Sequence, residues 1–242
     1  MRRISEKLWT CVRQRAGPLT KEVRYRRPQL RLSDLPSVRR EKNEIVRGIR
    51  DCCFRRTPTD RLELMLGLMG WGSSLYTLTF ADEALPETFA QCRAWWRSSS
   101  KALNRLHGGA FRYVYAIEGL HGDRRWHVHL ALMDEDFDEN DVLRCWGGGV
   151  VRDVQPMLSE VHRNFWDRAY YLTKERRDGD RIPRSVKTWV AAPMLYRSLP
   201  PPEKKLVRSG AIRTPKEVWD VQNDAKSNAF GSFNYRSWIR LQ

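Results

Sequence analysis

RWHVHLAL at residues 125–132 places His127 and His129 two positions apart in an alternating run. Because successive side chains of a β-strand point to opposite faces of the sheet, both imidazoles lie on one face. The other face carries only apolar side chains, Val128, Leu130 and Leu132. That second face is therefore expected in the core, while the first offers two nitrogen ligands to a single metal ion.

The preceding stretch, RYVYAIE at 112–118, also alternates and predicts a partner strand. A Gly122-Asp123 pair between the two runs indicates a two-residue hairpin turn, which fixes the strand register. In that register Glu118 lies opposite His127, and the apolar faces of both strands coincide; a slip of one residue would break both matches. The pattern predicts a metal site formed by Glu118, His127 and His129. A structural histidine pair without a metal is the alternative.

The charge balance of the chain predicts a polyanionic partner, nucleic acid first. The 242 residues carry 44 Lys and Arg against 29 Asp and Glu, a net charge of +15. Most of the excess lies in residues 1–61, which hold 18 basic and seven acidic residues. We expect this segment to lie against a polyanion; a solvated tail is the alternative.

Composition and motifs also exclude several classes of protein. With 41% hydrophobic residues the chain can form a core, but no run of 18 apolar residues predicts a membrane span. The N-terminus lacks the apolar region of a secretory signal. Five cysteines without a C-x-x-C spacing fit a reducing compartment, so we expect a cytoplasmic protein, or a nuclear one in a eukaryotic host. Gly147-Gly148-Gly149 is not followed by Lys-Ser/Thr, so no nucleotide cofactor is expected.

The remaining pattern predicts an α+β fold with a central antiparallel sheet and flanking helices. LYTLTF at 75–80 is expected to form a strand with Thr77 and Thr79 on one face. Residues 158–177 are expected to form a helix with an apolar stripe that includes Trp166 and Tyr170. On that helix Tyr171 and Lys174, three residues apart, share a neighbouring face.

We predict three consecutive segments: a basic extension at 1–61, a folded domain at 62–195 and a basic, aromatic segment at 196–242. Basic residues interleaved with aromatic residues, as in the C-terminal segment, suit single-stranded nucleic acid. Packing of these aromatics into a core is the alternative.

Three stretches in this order, LYTLTF at 75–80, WHVHLAL at 126–132 and YYLTKE at 170–175, resemble a known family. They resemble the rolling-circle replication initiators (Rep proteins) of the HUH, or His-hydrophobe-His, endonuclease superfamily, over about residues 72–195. The resemblance implies an RRM-like fold. It also implies Mg²⁺ or Mn²⁺ held by the histidine pair with a nearby acid, and a tyrosine that attacks a phosphodiester of single-stranded DNA at a replication origin. A host helicase and a host polymerase are the further partners that it implies.

The resemblance leaves the nucleophile open between two tyrosines. Tyr171-x-x-Lys174 matches one spacing found in the family, and Tyr170-x-x-x-Lys174 matches the other. Because the periodicity places Tyr170 on the apolar stripe, we favour Tyr171. Lys174 is expected near the phosphate, or as a group that lowers the tyrosine pKa. The expected DNA contacts are Thr77, Thr79, Arg124, Arg125, Arg176 and Arg177.

Other interpretations of the same residues share the scaffold. A transposase or a relaxase of the HUH superfamily would use the same metal and tyrosine chemistry. Relaxases tend to place the tyrosine before the histidines, whereas here it follows them. A non-catalytic protein that binds single-stranded nucleic acid is the alternative from another class.

Overall fold

Two antiparallel sheets of five strands account for most of the described chain. The computed structural model describes residues 8–26, 43–47, 57–122, 124–175, 186–228 and 231–241. The chain divides into two compact units, one formed by residues 1–64 with 200–242 and the other by residues 65–199. The boundary at residue 64 falls within helix α1 (Pro58–Met69). The predicted α+β class, with a central antiparallel sheet and flanking helices, is confirmed.

The unit of residues 65–199 contains the histidine strand. Its elements in chain order are β3 (Ser73–Phe80), α2 (Phe89–His107), β4 (Tyr113–Glu118), β5 (His127–Met133), α3 (Glu139–Trp146), β6 (Gly149–Pro156), α4 (Phe165–Thr173), β7 (Trp189–Ala191) and α5 (Pro193–Ser198). The strand order is β6-β3-β5-β4-β7, and every neighbouring pair is antiparallel. The histidine strand β5 is therefore the central strand of this sheet.

The core of this unit lies between one face of the sheet and the helices α2 and α3. Val128, Leu130 and Leu132 contribute from β5, as their alternation predicts, and Trp96 and Trp146 contribute from the helices. Both helices begin at side-chain caps: Thr88 caps α2, and Asp138 caps α3. The opposite face of β5 carries the imidazoles and faces α4.

The other unit is a sheet formed by both ends of the chain. Its strands are β1 (Trp9–Ala16), β2 (Leu19–Arg26), β8 (Glu203–Val207), β9 (Val218–Asn228) and β10 (Gly231–Arg240), in the order β8-β1-β2-β10-β9. Gly17, in the left-handed region at φ 55°, turns the chain between β1 and β2. A buried apolar face includes Val23, Tyr25 and Phe233, against which Ile45 from the helical residues 43–47 packs.

This sheet differs from the three consecutive segments that the sequence predicts. The described parts of residues 1–61 and 196–242 are not separate, since β2 and β10 pair over their whole common length, from Leu19 opposite Ile239 to Arg26 opposite Ser232. Pairing between strands more than 200 residues apart leaves no local periodicity to read. The role of residues 1–61 as a polyanion-binding segment stays a prediction.

Candidate active site and metal centre

The register of β4 and β5 brings three metal-ligating side chains together. Glu118 lies opposite His127, and Ala116 lies opposite His129, which confirms the predicted register. One ligand atom from each of Glu118, His127 and His129 lies within 4.8 Å of the other two. His127 Nε2 is 3.2 Å from Glu118 Oε2, and His129 Nε2 is 3.3 Å from Glu118 Oε1. The predicted constellation is thus present as a compact cluster.

The predicted two-residue turn is wrong, although the register it implied is right. The strands end at Glu118 and His127, and residues 119–126 connect them. Gly119 turns the chain at φ +115°, where an added Cβ would approach Trp126 Cα to 3.0 Å. The Glu175 carboxylate accepts the backbone N–H groups of Gly119 and Leu120 at 3.0 and 2.6 Å. These two bonds hold the end of β4 outside a tight hairpin.

Hydrogen bonds on the far ring nitrogens orient both histidines. His127 Nδ1 lies 2.9 Å from the Arg125 carbonyl oxygen, which can only accept, so the proton sits on Nδ1 and Nε2 can act as a ligand. His129 Nδ1 lies 3.3 Å from Thr77 Oγ1, which places Thr77 from β3 behind the ring. Such outer contacts fix the tautomer and the ring plane of metal-binding histidines.

Glu118 is a buried carboxylate surrounded by positive or protonatable groups. Lys174 Nζ lies 3.2 Å from Oε1, and Arg124 Nη1 donates to Oε2 at 3.2 Å. Burial favours the neutral acid, but contacts with His127 and His129 and the positive charge of Lys174 outweigh it and hold the pKa of Glu118 well below its ordinary value. The carboxyl group is therefore ionised at neutral pH.

One oxygen of this carboxylate is not satisfied. Within the described residues Glu118 Oε1 is buried and accepts no hydrogen bond, despite the nearby cations. A buried oxygen of this kind normally has a partner. An ionised oxygen with a spare lone pair beside two Nε2 atoms fits a divalent cation, since carboxylate and imidazole are both common ligands of such ions.

The two histidines differ in their protonation. Burial lowers the pKa of His129, and its contact with Glu118 does not overcome that effect. For His127 burial also acts to lower the pKa, but the contact with Glu118 prevails and the pKa is raised. His129 is thus the imidazole more readily available as a neutral ligand.

Tyr171 from α4 reaches the same cluster. Its hydroxyl lies 3.0 Å from His129 Nε2, and the two rings meet edge to face. Lys174 Nζ lies 3.4 Å from the centroid of the Tyr171 ring. Burial and the negative charge of Glu118 raise the pKa of Tyr171. The structure therefore brings together Glu118, His127, His129, Tyr171 and Lys174.

Tyr170 does not join this cluster, although the reason that the sequence offers for setting it aside is wrong. The periodicity predicts Trp166 and Tyr170 on a buried stripe, but both are exposed. The buried positions of α4 are Phe165, Arg168, Ala169 and Leu172. Helix α4 begins at Phe165, capped by Asn164, instead of near residue 158, so a periodicity counted from 158 includes a segment that is not helical throughout.

An open cleft of about 850 Å³ lies over the cluster. Thr77, Thr79, Arg124 and Arg125, the expected DNA contacts, line it together with His127, His129 and Tyr171. Arg125 is held by the Phe80 carbonyl at 2.8 Å and by Asp82 at 2.6 Å. The other expected DNA contacts, Arg176 and Arg177, lie outside the described residues.

Sequence reasoning missed several residues at this site. Arg152 and Asp153 from β6 line the cleft, with Asp153 opposite Thr77. Buried Arg168 donates to the carbonyls of Met157 and Pro156 and to Gln155, which fixes α4 against the end of β6. No local motif marks these residues; β6 alternates, but only its pairing with β3 shows where Asp153 lies.

Residues 73–176 match the model of a family of replication-associated proteins, described by its member ORF2. The match begins at the first residue of β3 and includes both strands of the cluster and the whole of α4. It covers less than half of the chain, and it supports a role as a replication initiator. No curated protein and no solved structure is significantly similar to the chain. Among the described residues, no helix is both long and apolar enough to cross a membrane.

Proposed function

We propose that this protein is a replication initiator that nicks and rejoins single-stranded DNA at a replication origin, with Tyr171 as the nucleophile. One observation carries the proposal: Tyr171 Oη lies 3.0 Å from His129 Nε2, so a tyrosine hydroxyl adjoins a carboxylate and two imidazoles. The family match over residues 73–176 supports the replication role, and the HUH superfamily is the class that this chemistry favours.

Tyr171 acts by transesterification. Its hydroxyl loses a proton and its oxygen forms a bond to phosphorus, while the bond from phosphorus to the 3′ oxygen of the DNA breaks. The departing 3′ oxygen takes up a proton and becomes a 3′ hydroxyl that can prime synthesis. The other end remains on the enzyme as a 5′ phosphotyrosine. Attack by a 3′ hydroxyl on that ester rejoins the strand without a nucleotide cofactor, because the bond energy is kept.

Glu118, His127 and His129 are the residues that hold a divalent cation, Mg²⁺ or Mn²⁺. When bound, the cation supplies positive charge that polarises the phosphate and offsets the Glu118 charge that raises the pKa of Tyr171. Thr77 and the Arg125 carbonyl keep the imidazoles in place. Lys174 adds a positive charge over the Tyr171 ring, which favours the phenolate that attacks.

The cleft is where single-stranded DNA binds in this proposal. Arg124, Arg125 and Arg152 line it, and their positive charges suit a phosphate backbone. The 3′ hydroxyl is of use only to a polymerase, and the sequence contains no Walker motif of a helicase. A host polymerase and a host helicase are therefore the proposed partners.

Tyr171→Phe tests this mechanism, because it removes only the attacking oxygen. Incubation with a labelled single-stranded origin oligonucleotide and Mn²⁺ should give a covalent adduct on denaturing gels with the unaltered chain and none with Tyr171→Phe. Tyr170→Phe should still form the adduct, and peptide mapping should place the DNA on Tyr171. DNA found on Tyr170 would reverse the assignment. Efficient cleavage without any adduct would mean hydrolysis by water and would end the proposal.

A further inference from the structure

Two large aromatic side chains on α4 form an exposed stacked pair. Trp166 is 38% exposed and Tyr170 is 57% exposed. Their ring centroids are 5.2 Å apart, and the ring planes differ by 10°. Adjacent exposed apolar surfaces of this size indicate a place where another molecule binds. The proposed chemistry uses neither side chain.

The pair lies on a helical face that leads to the cluster. Trp166, Tyr170 and Lys174 are spaced by four residues, so they follow one another along one side of α4. Lys174 contacts Glu118 Oε1 at 3.2 Å. At a rise of ~1.5 Å per residue, Trp166 is about 12 Å along the helix from Lys174. Stacked nucleotides advance by ~3.4 Å each, so this length corresponds to roughly four nucleotides.

We propose that Trp166 and Tyr170 form a stacking surface for unpaired bases of the strand whose phosphate Tyr171 attacks. The inference rests on the proposed function, since it places these bases within a few nucleotides of the attacked phosphate. Bases stack on aromatic side chains whatever their identity, because every base presents a flat π-face. The surface therefore holds the strand and selects unpaired DNA, because bases in a duplex already stack on their neighbours.

Charge favours a nucleic acid over a second copy of this chain as the occupant. The chain carries a net charge of +15, so two copies repel each other, whereas a DNA strand is attracted. Cations lie next to the pair and in the cleft, Lys174 on α4 and Arg124 and Arg152 in the cleft lining. Aromatic surface beside positive charge is the combination that single-stranded DNA needs.

The first test measures affinity with cleavage removed. In a Tyr171→Phe background, binding of a fluorescent single-stranded oligonucleotide is followed by anisotropy at a fixed salt concentration. Trp166→Ala and Tyr170→Ala should each weaken binding by about tenfold, the value expected for one lost base stack. Tyr170→Phe keeps the ring and should restore the affinity. Tyr196→Ala removes a comparable ring, 45% exposed on α5, and serves as the control that should not change affinity.

The second test separates stacking from general damage. A series of oligonucleotides carries one abasic residue at each position in turn. The Tyr171→Phe protein should lose affinity at one or two positions, and adding Trp166→Ala with Tyr170→Ala should cause no further loss there. Equal losses on intact and abasic strands, or a dimer that these substitutions dissociate, would overturn the inference. Adduct formation by the unaltered chain is assayed in parallel, so that its failure counts against the proposed function and not against the stacking surface.

Discussion

Glu22 and Glu118 are two buried carboxylates, one in each sheet, that differ in how their oxygens are satisfied. Glu22 in β2 is 0% exposed, with Arg24 Nε donating to Oε1 at 2.6 Å and Arg13 Nε donating to Oε2 at 2.5 Å. Glu118 in β4 is 1% exposed, yet its Oε1 accepts no hydrogen bond from the described residues. Burial and neighbouring cations are therefore shared features of a carboxylate that is complete and of one that is not.

The pKa values do not distinguish the two groups, because burial acts to raise each pKa and neighbouring positive groups lower both below the ordinary value. What differs is geometry. The arginines meet Glu22 with charge-assisted hydrogen bonds, which are among the strongest in proteins, and close the cluster. At Glu118 the His129 and Lys174 contacts are longer, and an oxygen stays available. The first arrangement stabilises a sheet, and the second suits a metal ligand.

The largest effect is expected where the incomplete cluster loses its nitrogens. His127→Ala combined with His129→Ala should reduce Mn²⁺-dependent nicking by about a thousandfold or more, since a loss of charge stabilisation at the reacting group costs rates on this scale. Electron paramagnetic resonance should show that Mn²⁺ binding is lost, and circular dichroism should show the fold retained. Nicking at the rate of the unaltered chain would rule out this metal site.

A matched pair of substitutions tests the difference between the two carboxylates directly. Glu22→Gln leaves two arginines facing a neutral group and should lower the free energy of unfolding by about 3 kcal/mol, as expected when a buried ion pair loses one partner. Glu118→Gln should lower stability much less, because Lys174 and Arg124 are partly exposed and can turn to water. Its Mn²⁺ affinity should fall instead, while Glu22→Gln keeps that affinity.

Urea denaturation and Mn²⁺ titration of both variants give the four values needed. Similar losses of stability in the two variants, with unchanged Mn²⁺ affinity in both, would show that Glu118 is a structural carboxylate like Glu22. The comparison uses isosteric substitutions at both positions, so side-chain volume does not account for a difference.

The metal cluster could be predicted from the sequence because its information is local. Glu118, His127 and His129 lie within twelve positions, and the apolar alternation of β4 and β5 allows only one register in which both cores coincide. The predicted turn is wrong, because the group that shapes it, Glu175, lies at the end of α4, more than fifty residues away. A residue whose role depends on such a distant contact carries no signal of its own in the sequence.

The same limit explains the errors elsewhere. The sheet formed by β2 and β10 depends on pairing between opposite ends of the chain, which alternation within either end does not reveal. Helical spacing predicts Trp166 and Tyr170 in the core, because aromatic residues at that spacing are usually buried. Only the observed start of α4 at Phe165 and its packing show that this face is exposed.

Glu175 offers the smallest expected effect, and it tests how rigidly Glu118 must be held. Its carboxylate accepts the N–H groups of Gly119 and Leu120, the two residues after Glu118, and thereby joins the end of β4 to the end of α4, which carries Tyr171 and Lys174. Glu175→Ala leaves both N–H groups without this acceptor, so the end of β4 should move. Outer groups that orient metal ligands typically change metal affinity by 10–100-fold, and we expect a loss of about tenfold in Mn²⁺ affinity.

Glu175→Gln keeps an acceptor oxygen in the same place and should retain most of the Mn²⁺ affinity. Thr173→Ala is a control on the same helix, because the Thr173 hydroxyl donates to the Ala169 carbonyl and touches neither the turn nor Glu118. Mn²⁺ titration followed by electron paramagnetic resonance, with urea denaturation of each variant, separates the two possible roles. If Glu175→Ala lowers stability but leaves Mn²⁺ affinity unchanged, Glu175 only joins strand to helix. If the affinity falls and Glu175→Gln restores it, the incomplete carboxylate depends on this contact for its position, whereas Glu22 is held by the arginines that neutralise it.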